Sequence, residues 1–305
     1  MKITFPAFLL VLLGIAQLAT AQVDTTGGRY YRPIFPTVTV SSNVAYGSAV
    51  NSAGVTQQLV MDVYEPAGDT VRRRPLILFA HQGGFVTGTR TEQYMVDVCT
   101  RFAKLGYVTA SIDYRLLDLL TILTAFDSVN IAKSAIRGSQ DMRAAIRYFR
   151  KDAATTRTYR IHPNYIVAGG ASAGAFMSLQ VGYLDKASEV PTYVGLTALG
   201  GLEGNSGNPG YSSGALLAIL NLSGATESPA IIEAGNAPLC SLHGTADATV
   251  PYLQGRIGSS LPPKYVYGSG TLNPRASQVG IRNVLKTFRG AGHIPQYGTT
   301  PSALA

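Results

Sequence analysis

The chain has 305 residues, 46% of them apolar and 14% charged, with 33 glycines and 16 prolines spread along it. That balance supplies ample material for a buried core and excludes a disordered chain. The net charge of +8 comes from scattered basic residues, densest at Arg72, Arg73, Arg74 and at Arg143, Arg147, Arg150, Lys151; no nucleic-acid-binding motif accompanies them, so they read as a solvated basic face and not as a nucleic-acid partner surface.

Residues 1–21 open with Lys2, run apolar over 8–18 and end in Ala19-Thr20-Ala21, the small-x-small pattern of a cleaved secretory signal. Gly14 and Gln17 interrupt a run already short for a membrane span, so a secreted or periplasmic protein without stable membrane insertion is expected. After a loose leader over 22–33, no repeat, linker or composition shift divides the remainder, which predicts a single domain over 22–305. Extended segments are predicted at 37–44 and 58–64. The runs 75–80 and 106–112 have the continuous apolar character of parallel strands buried on both faces. Between 130 and 151 the period changes: Met142, Ala145, Ile146 and Phe149 share one helical face, with Arg143, Arg147 and Arg150 off it. A strand at 165–168, a glycine-rich turn and a small-residue helix over 173–183 follow, then strands at 216–222, 239–243 and 284–288. This alternation predicts the α/β class, a mainly parallel sheet covered on both faces.

The chemistry is concentrated in Gly170-Ala171-Ser172-Ala173-Gly174, a G-x-S-x-G placed after a predicted strand and opening a predicted helix. A sharp strand-to-helix turn exposes the serine hydroxyl, and the helix N-terminus aims its free N–H groups at developing negative charge. A phosphate loop is the other reading of such a turn, but the Lys-Ser/Thr pair it needs is absent. The strand at 75–80 ends in His81-Gln82-Gly83-Gly84-Phe85, where paired glycines let backbone N–H groups face a ligand. Gly83, Gly84 and Ala173 are therefore the expected oxyanion donors, an ordinary Gly-Gly turn being the alternative.

A serine needs a base, and the chain offers four histidines. His81 precedes the glycines, His162 sits in a polar His-Pro-Asn turn and His243 lies on the strand side of a turn, where a structural role is expected. His293, in a flexible loop past the last predicted strand, is the expected base. Asp247, in a loop after a late strand, is the expected orienting carboxylate, with turn capping as its alternative. The order Ser172, Asp247, His293 is that of the α/β-hydrolase fold. The dispersed histidines and the two cysteines give no metal-ligand spacing, so neither metal nor cofactor is expected. Cys99 and Cys240, both among apolar residues, read as buried thiols, with a single disulfide between them as the alternative.

The HQGGF segment at 81–85, Asp113-Tyr114-Arg115, the stretch QDMRAAIRYFRKDA at 140–153, the GASAG elbow and HGTADATVPY at 243–252 together resemble secreted bacterial carboxylesterases. Within the α/β-hydrolases they are similar to the groups related to hormone-sensitive lipase, feruloyl esterases and acetylxylan esterases. The resemblance covers roughly residues 55–297. It implies cleavage of a small-molecule or polymer-linked carboxylic ester through an acyl-enzyme, with Ser172, Asp247 and His293 as the triad and Gly83, Gly84 and Ala173 as the oxyanion hole. Lipase, polyester hydrolase, peptidase and a non-catalytic hydrolase-like binding protein are the alternatives. Two departures stand out. Gln82 replaces the first glycine of the commoner HGGG, and is expected to reshape the pocket floor. Only 12 residues follow His293, where the family places a closing helix, so that helix is expected to be missing. The segments 116–123 and 200–214 are candidates for the acyl pocket.

Overall fold

The computed structural model describes residues 25–257 and 261–297; the expected leader 1–21 lies outside them. In chain order the elements are β1 (Val38–Val50), β2 (Thr56–Pro66), β3 (Arg74–Ala80), α1 (Gln93–Lys104), β4 (Val108–Ile112), α2 (Leu119–Thr124), α3 (Ser128–Ala154), β5 (Ile161–Ala171), α4 (Ala173–Tyr183), β6 (Ala218–Leu222), β7 (Ala225–Thr226), β8 (Leu239–Gly244), β9 (Gln254–Arg256), β10 (Tyr265–Gly268), α5 (Ser269–Gln278) and β11 (Asn283–Phe288). Eight strands form one sheet in the order β1-β2-β4-β3-β5-β6-β8-β11. β2 runs antiparallel to both neighbours, and from β4 onward every pairing is parallel. β7, β10 and β9 make a small antiparallel sheet beyond the strand ends.

Successive side chains of a strand point to opposite faces, and β3 shows the result. Leu76, Leu78 and Ala80 join the larger core with residues of α3 and α4, whereas Ile77 and Phe79 join Met95, Cys99 and Ala103 of α1. Both faces of β3 are thus covered, which is why it is apolar throughout. The face beside α1 is the thinner one. Val167, Leu220 and Leu242 are only partly buried there, and Val284 of β11 is 65% exposed. Among the described residues no helix follows β11.

α3 departs from the expected basic face. Its N-terminus is capped by Asp127, whose carboxylate accepts from Asn130 N at 2.7 Å, and its apolar residues pack as predicted. Arg143, Arg147 and Arg150, however, are buried. Arg147 donates to the carbonyls of Gly207 at 2.8 Å and Glu203 at 3.2 Å. Arg150 donates to Ser212, Ala215 and Pro163, and Arg143 to Gln180 and Leu184. A carbonyl-rich loop without secondary structure supplies the acceptors that a guanidinium fork needs once it leaves water. Arg147 and Arg150 fasten the 200–215 segment to the fold, joined by Arg143 through the side chains of Glu203 and Ser213; the solvated reading is corrected for these three and for Arg74, which is fully buried and donates to Glu65 and the Tyr159 carbonyl. Of the two thiols, Cys99 is buried and Cys240 half-buried, both free.

Candidate active site

The sheet order reverses at β3, whose neighbours are β4 on one side and β5 on the other. In open α/β sheets the crevice at such a point, beyond the carboxyl ends of the strands, is where ligands bind. Ala80, at the end of β3, pairs with Gly170 of β5, so the His81–Phe85 turn and the Ser172 elbow lie side by side.

The elbow is built by close backbone packing. A Cβ on Gly170 would lie 2.3 Å from the carbonyl carbon of Gly174, and one on Gly174 would lie 2.1 Å from the oxygen of Ala80. Both positions need glycine. Ser172 itself takes φ 51°, ψ −115°, a conformation costly for any residue with a Cβ. It is held by its N–H to the Leu222 carbonyl at 2.9 Å and by its own carbonyl, which accepts from Ala175 N and Phe176 N. Ala173, first residue of α4, points an N–H that the helix cannot use.

Gly83 takes φ 120°, and a Cβ there would meet the Thr87 oxygen at 1.9 Å. Its carbonyl accepts from Val86 N and Thr87 N, closing a tight turn that continues through Gly84 and Phe85, both at positive φ. Among the described residues the N–H groups of Gly83 and Gly84 have no acceptor. The Gln82 side chain does not form a pocket floor: its amide is drawn to the Glu92 carboxylate at the N-cap of α1. His81 is buried and stacked on Tyr114 with ring centres 4.3 Å apart, its Nδ1 bonded to the Gln82 carbonyl. Burial first, only partly offset by that carbonyl, lowers its pKa. His162, stacked on Tyr165 and bonded to Arg73, belongs to the opposite end of β5.

The structure brings Ser172, His293 and Asp247 together although they are separated by long stretches of sequence. His293 Nε2 lies 2.8 Å from Ser172 Oγ and Nδ1 lies 2.7 Å from Asp247 Oδ2. Asp247 Oδ1 accepts from Thr249 N at 2.9 Å and Val250 N at 2.8 Å. Burial would raise the Asp247 pKa, but the hydrogen bonds from His243 and His293 and from the Val250 N–H outweigh it and hold the carboxyl well below its usual range. The carboxylate is therefore charged beside the imidazole at neutral pH.

Two further expectations concern His243 and the acyl pocket. His243, expected to be structural, is fully buried with Nδ1 2.8 Å from Ser269 Oγ and Nε2 3.1 Å from the Val250 carbonyl, as a structural histidine would be, and its Nε2 also lies 3.2 Å from Asp247 Oδ2. Leu116, Leu117 and Asp118 of the first acyl-pocket candidate line a cleft beside His81, whereas residues 205–208 of the second line a separate cavity against β1. Leu117 N is anchored to the Phe85 carbonyl at 2.8 Å, but Leu119, Leu120 and Leu123 of α2 stand in solvent, as a rim beside the oxyanion turn. That cleft, of about 300 Å³, is lined among others by His81, Gly88, Asp113, Tyr114 and Leu117. The 200–214 segment is bound to α3 and, through Ser206, to Gly47 and Ser48 of β1.

Residues 61–228 match the BD-FAE family. Among solved structures, the apo form of Thermogutta terrifontis esterase 2 is 25% identical over 86% of this chain and 87% of that one, with a TM-score of 0.57. The same esterase phosphorylated by paraoxon is 27% identical over 85% of each chain, with a TM-score of 0.55. A propionate-bound form, described as a thermophilic esterase from a Planctomycetes species, is 24% identical over 86% and 87%, with a TM-score of 0.56, and speaks for the fold. No curated protein matches the chain. The family match takes in both the His81–Phe85 turn and the Ser172 elbow and spans more than half of the sequence, so the chain belongs to the BD-FAE family and is an α/β-hydrolase of the esterase kind.

Proposed function

We propose that Ser172 is the nucleophile of this ester hydrolase, His293 its general base and acid, and Asp247 the carboxylate that orients and charges the imidazole. The observation that carries the reading is the unbroken hydrogen-bonded line Ser172 Oγ, His293 Nε2, His293 Nδ1, Asp247 Oδ2, at 2.8 and 2.7 Å. Asp247 Oδ2 accepts a hydrogen bond from His293 Nδ1–H, which keeps the proton on that nitrogen and leaves the Nε2 lone pair facing the serine hydroxyl. His293 removes that proton as Ser172 Oγ attacks the ester carbonyl. The carbonyl oxygen becomes an oxyanion among the N–H groups of Gly83, Gly84 and Ala173, and each such donor is worth about 10²- to 10³-fold in rate. His293 then hands its proton to the departing alcohol. A water, deprotonated by the same imidazole, releases the acid from the acyl-enzyme.

A small-molecule or polymer-linked carboxylic ester is the proposed substrate class, and residues 1–21 support export to the periplasm or beyond. An organophosphate tests the nucleophile. Paraoxon, which phosphorylates the related esterase, is expected to leave one diethylphosphoryl group on the peptide carrying Ser172. An adduct on a different residue, or none in folded protein, would overturn the assignment.

A further inference from the structure

Behind Asp247 lies a second buried polar line that the triad does not include. Asn221, Ser241, His243 and Ser269 are all fully buried. Their proton positions follow one from another. The Gly224 N–H can only donate, and it lies 2.9 Å from Asn221 Oδ1; that fixes the amide and leaves Asn221 Nδ2 as donor to Ser241 Oγ at 3.2 Å and Ser269 Oγ at 3.1 Å. Ser269 Oγ, already accepting, gives its own proton to the group 2.8 Å away, His243 Nδ1. An imidazole that accepts at Nδ1 carries its proton on Nε2.

The other end of the ring gives the same answer independently. His243 Nε2 faces two acceptors, the Val250 carbonyl at 3.1 Å and Asp247 Oδ2 at 3.2 Å. A lone pair there would oppose both. Asp247 Oδ2 is also the oxygen bonded to His293, so the His243 nitrogen that bonds the Val250 carbonyl stands 3.2 Å from the atom that aligns the base.

We propose that His243 is a positioning residue: held as its Nε2–H tautomer by Ser269 and Asn221, it fixes Asp247 Oδ2 for His293. This rests on the triad reading above for its consequence in catalysis, but the tautomer itself does not. The line begins at a backbone N–H next to β6, passes α5 and ends at the loop after β8, so three separate elements set the position of one carboxylate oxygen. Buried groups that support a functional side chain in this way typically change activity by about 10- to 100-fold when removed.

The test has two readouts. Long-range ¹H–¹⁵N NMR of the folded full chain should show His243 protonated at Nε2 alone. Protonation at Nδ1, or at both nitrogens, overturns the proposal whether or not the chain hydrolyses esters. In parallel, Ser269→Ala, which removes the hydrogen bond that holds the His243 ring at Nδ1, should lower kcat on a short-chain p-nitrophenyl ester about tenfold or more with KM little changed, and Ser269→Thr should restore most of it. His243→Gln, which keeps an amide donor, serves if Ser269→Ala does not fold, and should retain more kcat than His243→Leu. A folded Ser269→Ala protein with parental kcat, or equal kcat for His243→Gln and His243→Leu, contradicts the proposal. Loss of hydrolysis by the parent chain together with an Nε2–H His243 would instead count against the triad reading.

Discussion

Gly174 shows how one atom can hold a site. Its missing Cβ is the space through which the Ala80 oxygen passes, 2.1 Å from where that carbon would be, and backbone cannot yield as a side-chain tip can. Gly174→Ala should displace the elbow by a few tenths of an ångström or more and cost about 10²-fold in kcat, since misplacement of reacting groups on this scale is that expensive. Kinetics beside a thermal melt separate this from simple unfolding. Asp247→Asn should leave the fold intact and lower kcat by about 10⁴-fold, because an amide no longer dictates which imidazole nitrogen carries the proton; kcat within tenfold of the parent would contradict the role given to the carboxylate. The elbow and the chain order of its partners were legible in the sequence because each is a local signal: small residues at fixed offsets, and an acid and a histidine after successive strands. The part played by His243 was not. Its partners Ser269 and Asn221 come from α5 and β6, and no spacing announces contacts that only the folded sheet creates.

At the scale of elements, strands were the readable part and short or polar pieces were not. The predicted strands at 75–80, 106–112 and 284–288 lie within or across β3, β4 and β11, and the helix predicted at 130–151 is the middle of α3. α1 carries the same kind of signal, Met95, Cys99 and Ala103 at i, i+4 and i+8, all buried. β7 and β9 are two and three residues long, too short to establish a period, and α5 contains Pro274 with few apolar residues. The arginines of α3 misled for a different reason: a charged residue off the apolar face looks solvated until a distant loop supplies acceptors. Arg147→Ala should therefore do more than a surface substitution. With three acceptors lost, among them the Gly207 and Glu203 carbonyls, destabilisation of about 2 kcal/mol is expected, with faster hydrogen exchange confined to the 200–215 segment. A change below about 0.5 kcal/mol, the usual surface value, would show that the clamp contributes little.

For the molecule as a whole, charge is organised mostly by burial. Arg29 holds Asp69 with two hydrogen bonds of 3.0 and 2.8 Å, tying the segment before β1 to the turn after β2. Burial opposes ionisation of Asp69, but the Arg29 hydrogen bonds and the Val71 N–H outweigh it, so its pKa lies below the ordinary 3.8. A carboxyl depressed in the folded state lends stability that is present in full above its unfolded value and fades as pH falls through the folded one. Asp247 has the same sign. Denaturant midpoints should decline modestly as pH falls through the ordinary histidine value of 6.5, because burial holds His81 neutral in the fold, and more steeply below about 4 as the carboxylates protonate; Asp69→Asn should flatten the lower fall while lowering the midpoint at pH 7. The thin face beside α1 bears on stability too: Val284→Thr should change it by less than about 0.5 kcal/mol, as for a surface site, whereas a larger loss would mean that something covers that face. The central claim, that Ser172 cleaves esters, is tested most directly by hydrolysis of a short-chain p-nitrophenyl ester by the full chain beside its Ser172→Ala variant. Turnover by the parent and a loss of about 10⁴-fold or more in the folded variant are expected; equal turnover by both, or none by a folded parent, would contradict the role given to Ser172.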